Sequence, residues 1–276
     1  MNVTLITGAT GGLGKAFAKI YAKNGNNLIL VSTSNDKLQI LKDELSEFNV
    51  SIDYVTADLS EKSECEKVYS FVKEKGYFVN NLVNAAGFGD RCDFKDMDID
   101  VQMKLIAVNC SALTYFTRVF IDDMLKNDTG RIINVGSLAG FVPGPYMCTY
   151  HASKAYVLNF GESVSHEIRK SKVRLLTLCP GPFISGFVAR AKNDWTFKKI
   201  KPISAEKVAE YAYKQSLKGK RIAVVGFGNK LTAFAPRFFP RKFVARISAG
   251  TLKKRRLKQI KNPTIFVVGF FNAKLI

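Results

Sequence analysis

The order of apolar segments along the chain constrains its fold more than any other feature. Seven short runs of aliphatic and β-branched residues alternate with longer amphipathic stretches of helical periodicity. This alternation predicts a parallel sheet covered by helices on both faces, because each parallel connection must cross over the sheet. The predicted strands are 3–6, 28–31, 51–56, 81–84, 131–135, 173–178 and 221–225. The predicted helices are 12–24, 36–47, 61–75, 98–126, 150–170 and 204–217.

Length and composition indicate one large folded domain. Of the 276 residues, 47% are hydrophobic and 24% are charged, which is ordinary for a globular protein. The five cysteines are odd in number and form no C-x-x-C motif, and two histidines supply few metal ligands. The first residues lack a secretory signal, and no uninterrupted apolar run approaches the ~20 residues of a membrane-spanning helix. We therefore predict a cytoplasmic protein with no metal site.

Positive charge is concentrated near the end of the chain. The formal net charge is +19, and residues 211–276 contain sixteen Lys and Arg but no Asp or Glu. The preceding residues are almost balanced, with 26 basic and 23 acidic side chains. We predict a catalytic body over 1–229 and a basic, amphipathic, helical extension over 230–276. Its apolar positions are Phe238, Phe239, Phe243, Val244, Ile247, Leu252, Leu257 and Ile260.

The sequence leaves three readings of this extension open. Its apolar side can dock on the protein's own body or on a second subunit, with the cations solvated. Alternatively, it can lie peripherally on the inner face of a membrane, where anionic lipid attracts Lys and Arg. Binding to nucleic acid or to an acidic partner is the least favoured hypothesis, and no known nucleic-acid motif accompanies the basic residues.

A glycine-rich turn follows the first predicted strand and leads directly into a predicted helix. Glycine permits the backbone angles of a tight turn and lets the main chain approach a phosphate at the positive end of a helix. The pattern T-G-x-x-x-G-x-G in this position therefore predicts a dinucleotide site. The candidate binding residues are Gly8, Thr10, Gly11, Gly12, Leu13 and Gly14.

Tyr150 and Lys154 are four positions apart and follow Ser137. Residues at this spacing share one helix face, so the lysine ammonium can approach the phenol and lower its pKa toward neutrality. The spacing alone is not distinctive, because Tyr69 and Lys73 repeat it in a stretch typical of a solvated helix face. The preceding serine and the nucleotide turn favour the first pair as the acid–base pair.

Together these motifs resemble the short-chain dehydrogenase/reductase family over residues 1–225. The resemblance implies a single Rossmann-type domain, with a doubly wound parallel sheet, that transfers hydride between a nicotinamide and a carbonyl or alcohol carbon. It implies that the catalytic residues are Asn109, Ser137, Tyr150 and Lys154. It further implies cofactor contacts at Asp58, Leu59, Asn84, Ala85, Ala86, Gly87, Tyr150, Lys154, Pro180, Gly181, Phe183 and Ser185.

The resemblance also implies a role for each catalytic residue. Ser137 and Tyr150 hydrogen-bond the carbonyl oxygen, and Tyr150 supplies the proton. Lys154 holds the nicotinamide ribose and lowers the pKa of the tyrosine. Asn109 keeps a water in the relay that restores the proton.

Two positions depart from the family pattern. Ala85 replaces the second asparagine of the family's N-N-A-G segment, which in relatives braces the central sheet. Ser185 replaces a threonine that holds the nicotinamide carboxamide, and its hydroxyl can make the same hydrogen bond.

The end of the second predicted strand bears on the choice between NADP and NAD. An acidic residue there would bind the ribose hydroxyls of NAD and repel a 2′-phosphate, but none occurs before Asp36. We therefore expect NADP rather than NAD. The residues expected to receive its phosphate are Ser32, Thr33, Ser34 and Lys37.

The segment 180–204 is the predicted lid over the substrate. Its aromatic residues suggest a bulky or apolar carbonyl substrate, such as a 3-oxoacyl chain or a steroid, although they can equally pack the lid onto the body. The family commonly forms dimers or tetramers through the helices expected at 98–126 and 150–170. The alternative function is a cofactor-binding redox sensor or scaffold that acts through its basic tail.

Overall fold

The computed structural model describes residues 1–183 and 203–252, and its centre is one parallel sheet. The seven strands lie in the order β3-β2-β1-β4-β5-β6-β7, and every neighbouring pair is parallel. The strand order reverses between β1 and β4, where open α/β sheets bind ligands. The predicted doubly wound sheet is therefore confirmed. The strands are β1 (Asn2–Thr7), β2 (Asn27–Ser32), β3 (Ile52–Thr56), β4 (Phe78–Asn84), β5 (Arg131–Val135), β6 (Arg174–Cys179) and β7 (Ile222–Val224).

Helices cover both faces of this sheet. They are α1 (Gly12–Lys23), α2 (Asn35–Glu44), α3 (Lys62–Glu74), α4 (Ile99–Ile106), α5 (Leu113–Lys126), α6 (Cys148–Glu167), α7 (Ala205–Leu217), α8 (Phe227–Phe234) and α9 (Arg241–Leu252). A π-helical segment, Ala107–Ala112, joins α4 to α5, so that the predicted helix over 98–126 is continuous. Its widened turn was not predicted. Short 3₁₀ turns occur at Ser46–Phe48, Phe94–Asp96, Leu138–Phe141, Ile168–Lys170 and Ala235–Phe238.

Two apolar layers hold the helices on the sheet. Leu30 of β2 belongs to the layer beneath α1 and α7, whereas its neighbours Ile29 and Val31 belong to the layer beneath α3 and α5. Alternation of this kind follows from the two-residue period of a strand. Each fully buried large side chain, such as Phe17 or Phe116, stabilises the fold by about 1.5–3 kcal/mol. Burial on both faces explains why the central strands are continuously apolar.

The continuous helix 99–126 is long and apolar enough to cross a membrane by length and composition alone. Half of its most apolar window is buried inside the protein, however. Phe116, Phe120 and Met124 pack in the layer against the sheet. These contacts identify the segment as a core helix of the α/β body.

The first part of the basic extension docks on the body. Val244, Ser248 and Leu252 of α9 are buried, which matches the docking alternative for residues 230–252. Helix α8 spans the expected boundary at 229/230. Residues 184–202, which include most of the lid, and residues 253–276 lie outside the described part of the chain.

Candidate active site

The glycine-rich turn brings β1, α1 and β4 into close contact. Gly8 has a left-handed φ of 63°, and a Cβ there would lie 2.7 Å from Cα of Ala86. A Cβ on Gly14 would lie 2.2 Å from the Gly8 carbonyl oxygen. Helix α1 follows Gly11 with no side-chain cap and no acidic residue in its first turn. Its amide groups and positive dipole end are therefore available to an anion.

The ends of β2 and β3 place the expected adenosine-binding residues beside this turn. Ser32 shares a 2.6 Å hydroxyl contact with Thr10. Ser34 caps α2 by accepting a hydrogen bond of 3.4 Å from the Lys37 amide. Asp58, after β3, accepts hydrogen bonds from the Ser60 amide and hydroxyl, which lower the pKa of its carboxyl group. Leu59 is buried, whereas Gly12, Thr33 and Lys37 are exposed.

The carboxyl end of β4 is braced from two sides. The hydroxyl oxygen of Thr7 lies 3.1 Å from the amides of both Ala85 and Ala86 and accepts hydrogen bonds from them. Asn84 donates to Asn134 at 2.9 Å and to Thr117 at 3.2 Å. Although Ala85 lacks the amide side chain of the family asparagine, the main-chain amides of 85 and 86 and the Asn84 side chain still anchor this segment.

Asn109 lies in the π-helical segment and is almost completely buried. Its side chain donates to the Phe88 carbonyl and to the Ser153 hydroxyl, both at 3.0 Å, and accepts from the Phe88 amide at 3.1 Å. Ser153 in turn donates to the Tyr150 carbonyl at 2.7 Å. Asn109 therefore fixes the loop after β4 to α6. A Cβ on Gly87 would lie 2.9 Å from the Asn109 side-chain oxygen, so a larger residue here would displace that side chain.

Ser137, Tyr150 and Lys154 meet at the carboxyl ends of β5 and β6. The Ser137 hydroxyl hydrogen-bonds the Tyr150 phenol and accepts a hydrogen bond from the Ala139 amide at 3.1 Å. Lys154 Nζ lies 5.8 Å from the centre of the Tyr150 ring and donates to the Val135 carbonyl at 2.8 Å. The structure thus brings together the serine, tyrosine and lysine that the sequence singled out.

Burial controls the titration of this group. Loss of hydration raises the pKa of Tyr150 to about 12, and the Ser137 hydrogen bond lowers it by less. Loss of hydration also lowers the pKa of Lys154 to about 8, because burial disfavours the ammonium. That Lys154 lowers the pKa of Tyr150 stays a prediction, because burial dominates the pKa of the phenol in the protein alone. Sequence spacing reveals the nearby cation but not the desolvation of both groups.

The turn after β6 borders the site next to the turn that contains Leu138. The Pro180 carbonyl accepts a hydrogen bond of 3.0 Å from the Leu138 amide. A Cβ on Gly181 would lie 2.5 Å from the Asn229 amide nitrogen, so α8 packs directly on this turn. Phe183 is paired with Ile203 in an isolated parallel bridge and packs on the core. Ser185 lies outside the described residues.

Several residues that shape the site escaped the sequence analysis. The Ser153 hydroxyl accepts a hydrogen bond from Asn109 and donates one to the Tyr150 carbonyl, and nothing in its spacing signals these contacts. Leu252 lies near Met147 and Tyr150 only in the folded chain, where its carbonyl accepts hydrogen bonds from Arg91. Burial and chain crossing create these neighbours, so an analysis by periodicity does not find them.

The residues present fit a dinucleotide. The uncapped start of α1, the close approach permitted by Gly8 and Gly14, and the strand-order reversal coincide at one edge of the sheet. A proton-bearing phenol and a serine hydroxyl lie at the same edge, beyond β5 and α6. The arrangement can hold a nicotinamide cofactor and protonate an oxygen beside it.

Comparisons with known proteins agree with this geometry. The family model described as short chain dehydrogenase matches residues 2–195, and the chain belongs to that family. A very-long-chain 3-oxoacyl-CoA reductase of Vanderwaltozyma polyspora is 33% identical over 184 residues, which cover 62% of this chain and 52% of the relative. Hydroxysteroid dehydrogenase-like protein 1 of Gallus gallus is 32% identical over 183 residues, covering 64% and 54%.

Solved structures show the same fold. A short-chain dehydrogenase from Sphingobium yanoikuyae in complex with NADPH superimposes with a TM-score of 0.78 at 23% identity, covering 95% of this chain and 99% of that one. Other structures of this fold were solved with NADP+ or with NAD. The chain is accordingly an oxidoreductase of the short-chain dehydrogenase type, acting on alcohol or carbonyl groups.

Proposed function

We propose that this protein is an NADP-dependent reductase of bulky, apolar ketones, with Tyr150 as the proton donor. The observation that carries the proposal is the group of Ser137, Tyr150 and Lys154 at the carboxyl edge of the sheet, in which Lys154 is buried and Ser137 and Tyr150 are half-buried. The pKa of Tyr150 is raised to about 12, which keeps its phenol protonated at neutral pH. A protonated phenol is the form that can donate a proton to the carbonyl oxygen in reduction.

When bound, the nicotinamide supplies the hydride that a carbonyl carbon accepts. Ser137 and Tyr150 hydrogen-bond the carbonyl oxygen, and Tyr150 transfers its proton to that oxygen as negative charge develops there. Lys154 donates to the Val135 carbonyl at 2.8 Å and would bind the ribose of the nicotinamide. The Asn109 side chain is fully hydrogen-bonded, so we infer that a water in the proton relay binds to the main chain of its π-helical segment.

We propose that the cofactor lies between the glycine turn and the ends of β2, β3 and β4. The first turn of α1 would bind the pyrophosphate, and Asp58 would contact the adenine. Ser32, Thr33 and Lys37 would receive the 2′-phosphate of NADP, since no acidic side chain opposes it before Asp36. Fluorescence titration with NADPH and NADH tests this choice, and tighter binding of NADH would reject it.

The apolar surroundings of Tyr150 support the proposed substrate class. Its ring packs against Met147 and Leu252, which are both buried. The relatives named above as 3-oxoacyl-CoA reductase and hydroxysteroid dehydrogenase-like protein support a 3-oxoacyl or steroid-like ketone.

A ketone panel tests the function. Purified protein with NADPH should reduce long-chain or polycyclic ketones. Ser137→Ala should lower kcat by about 10²–10³, because one donor to the developing oxyanion is lost. Ser163→Ala, on the exposed side of α6, is the matched control. Reduction of no ketone, or equal rates in both variants, would reject the proposal.

We also propose a dimer or tetramer joined through the outer faces of α4, α5 and α6. These helices expose Ile99, Met103, Ile106 and Tyr156. Light scattering of the purified protein tests the oligomer. We keep the cytoplasm as the expected location, since all five cysteines are without disulfide bonds.

Peripheral contact with an anionic membrane is the further proposal for the extension. Residues 227–243 expose Phe227, Phe234, Phe238, Phe239 and Phe243 beside the exposed cations Lys230, Arg237, Arg241 and Lys242. Aromatic side chains beside cations suit the headgroup region of anionic lipid. Sedimentation with phosphatidylserine vesicles should weaken in the double variant Phe238→Ser, Phe239→Ser. Phe94→Ser, at a site 79% exposed elsewhere, is the control.

A further inference from the structure

The carboxyl end of α9 lies beside the proposed proton donor. Leu252 and Met147 form a small buried cluster, and Tyr146 and Tyr150 pack against it. Leu252 is only 9% exposed although it belongs to the basic extension. The extension therefore reaches the cluster against which the proposed proton donor packs.

Arg91 fastens this end of the helix. Its guanidinium donates from Nε to the Leu252 carbonyl at 2.8 Å, and Nη2 donates to the same oxygen. Arg91 belongs to the loop after β4, so the contact joins that loop to α9.

The same loop also holds the segment before α6. The Cys92 amide donates to the Tyr146 carbonyl at 3.0 Å. Tyr146 has a φ of 69°, a left-handed conformation that costs free energy in a bulky residue and persists where surrounding contacts enforce it. Three segments of the chain thus converge around Tyr150: residues 91–92, residues 146–147 and Leu252.

We propose that Tyr146, Met147 and Leu252 form the wall that selects the apolar substituent of the ketone, and that Arg91 is the positioning residue of this wall. The proposal rests on the carbonyl chemistry proposed for Tyr150. The wall is apolar, and the Arg91 guanidinium is directed to a main-chain carbonyl. Such a surface matches a hydrocarbon chain or ring beside the carbonyl rather than a charged substituent.

Substrate selectivity tests the wall directly. Leu252→Ala should change the ratio of kcat/KM for a long-chain methyl ketone over cyclohexanone by about 10-fold or more, mainly through KM, since removing methylenes from an apolar pocket has effects of this size. Ile247→Ala, in the same helix, should leave the ratio unchanged. Leu252→Met should restore it. An unchanged ratio in folded Leu252→Ala would overturn the proposal.

Arg91 is tested by a measurement that needs no turnover. Cys92 and Cys148 are the partly exposed thiols, whereas Cys65, Cys110 and Cys179 are buried. Arg91→Ala should raise the rate of maleimide labelling at Cys92 and Cys148 several-fold, and Arg91→Lys should restore part of the protection. Equal labelling in the wild type and Arg91→Ala would overturn the positioning role.

The two measurements separate the wall from the reaction. If no ketone is reduced but Arg91→Ala accelerates labelling, the proposed function and the substrate role of the wall fail, and the positioning role of Arg91 stands. If ketones are reduced but neither the substrate ratio nor the labelling rate changes, the wall alone fails.

Discussion

Two tyrosine–lysine pairs of identical spacing lie on different helices of this protein. Tyr69 and Lys73 lie on α3, and Tyr150 and Lys154 lie on α6. In both pairs the lysine nitrogen is 5.8 Å from the centre of the tyrosine ring. Internal geometry therefore does not distinguish them.

The surroundings of the two pairs distinguish them. Lys73 has a side chain that is 47% exposed and forms a 3.0 Å ion pair with Asp123, which raises the pKa of its ammonium group. Lys154 is 5% exposed and donates to the Val135 carbonyl, and burial lowers its pKa to about 8. The lysine of the motif forms a surface ion pair on α3, whereas on α6 it is a buried amine with a lowered pKa. Perturbation of this kind marks functional sites.

The largest expected difference between the pairs is in turnover. Lys154→Met should reduce kcat/KM for ketone reduction by at least about 10², because it removes the amine positioned beside the phenol and the ribose. Lys73→Met should change it by less than about twofold, as expected for a surface group remote from the site. Steady-state kinetics with NADPH measure both. Similar losses in the two variants would remove the distinction.

The second difference is the dependence of stability on pH. The pKa of Lys154 is about 8 in the fold against ~10.4 in an unfolded chain. Between these values the unfolded chain binds the proton more, so the free energy of unfolding should rise with pH through this window. The contribution is about 3 kcal/mol at most. Below pH 8, burial of the charged Lys154 lowers the free energy of unfolding by this full amount.

Urea denaturation of the wild type and Lys154→Met between pH 7.5 and 10 measures this contribution. The difference between their free energies of unfolding should grow with pH in favour of the wild type. Lys73→Met provides the control and should show no such growth in this range. Parallel profiles for the wild type and Lys154→Met would mean that Lys154 titrates normally.

The smallest effect concerns the surface pair itself. Asp123→Asn should lower the free energy of unfolding by no more than about 1 kcal/mol, because exposed ion pairs contribute little. Added salt should reduce this loss further through screening. A loss of several kcal/mol, insensitive to salt, would show that the α3 pair is not a simple surface contact.

Much of the body was predictable from the sequence. Continuous apolar strands and amphipathic helices have strong periodic signals, so the sheet and the helices over 12–24 and 61–75 were expected close to their observed bounds. The ordered motifs also placed Ser137, Tyr150 and Lys154 in one site. The glycine turn was expected for the same reason, since its spacing expresses a local backbone requirement.

Other features depend on the folded environment. The π-helical turn at Asn109 has no sequence period, because one widened turn does not disturb the apolar face. The pKa shifts of Tyr150 and Lys154 reflect burial that only packing creates. The path of α9 to Tyr150 depends on the contact of Arg91 with Leu252, which are 161 positions apart.

Side-by-side turnover of Tyr150→Phe and Tyr69→Phe tests the central claim most directly. Each variant removes one hydroxyl from a pair of the same spacing and leaves the ring in place. We predict that Tyr150→Phe loses at least about 10² in kcat while NADPH binding is retained, and that Tyr69→Phe keeps wild-type turnover. Undiminished ketone reduction by Tyr150→Phe would contradict the account.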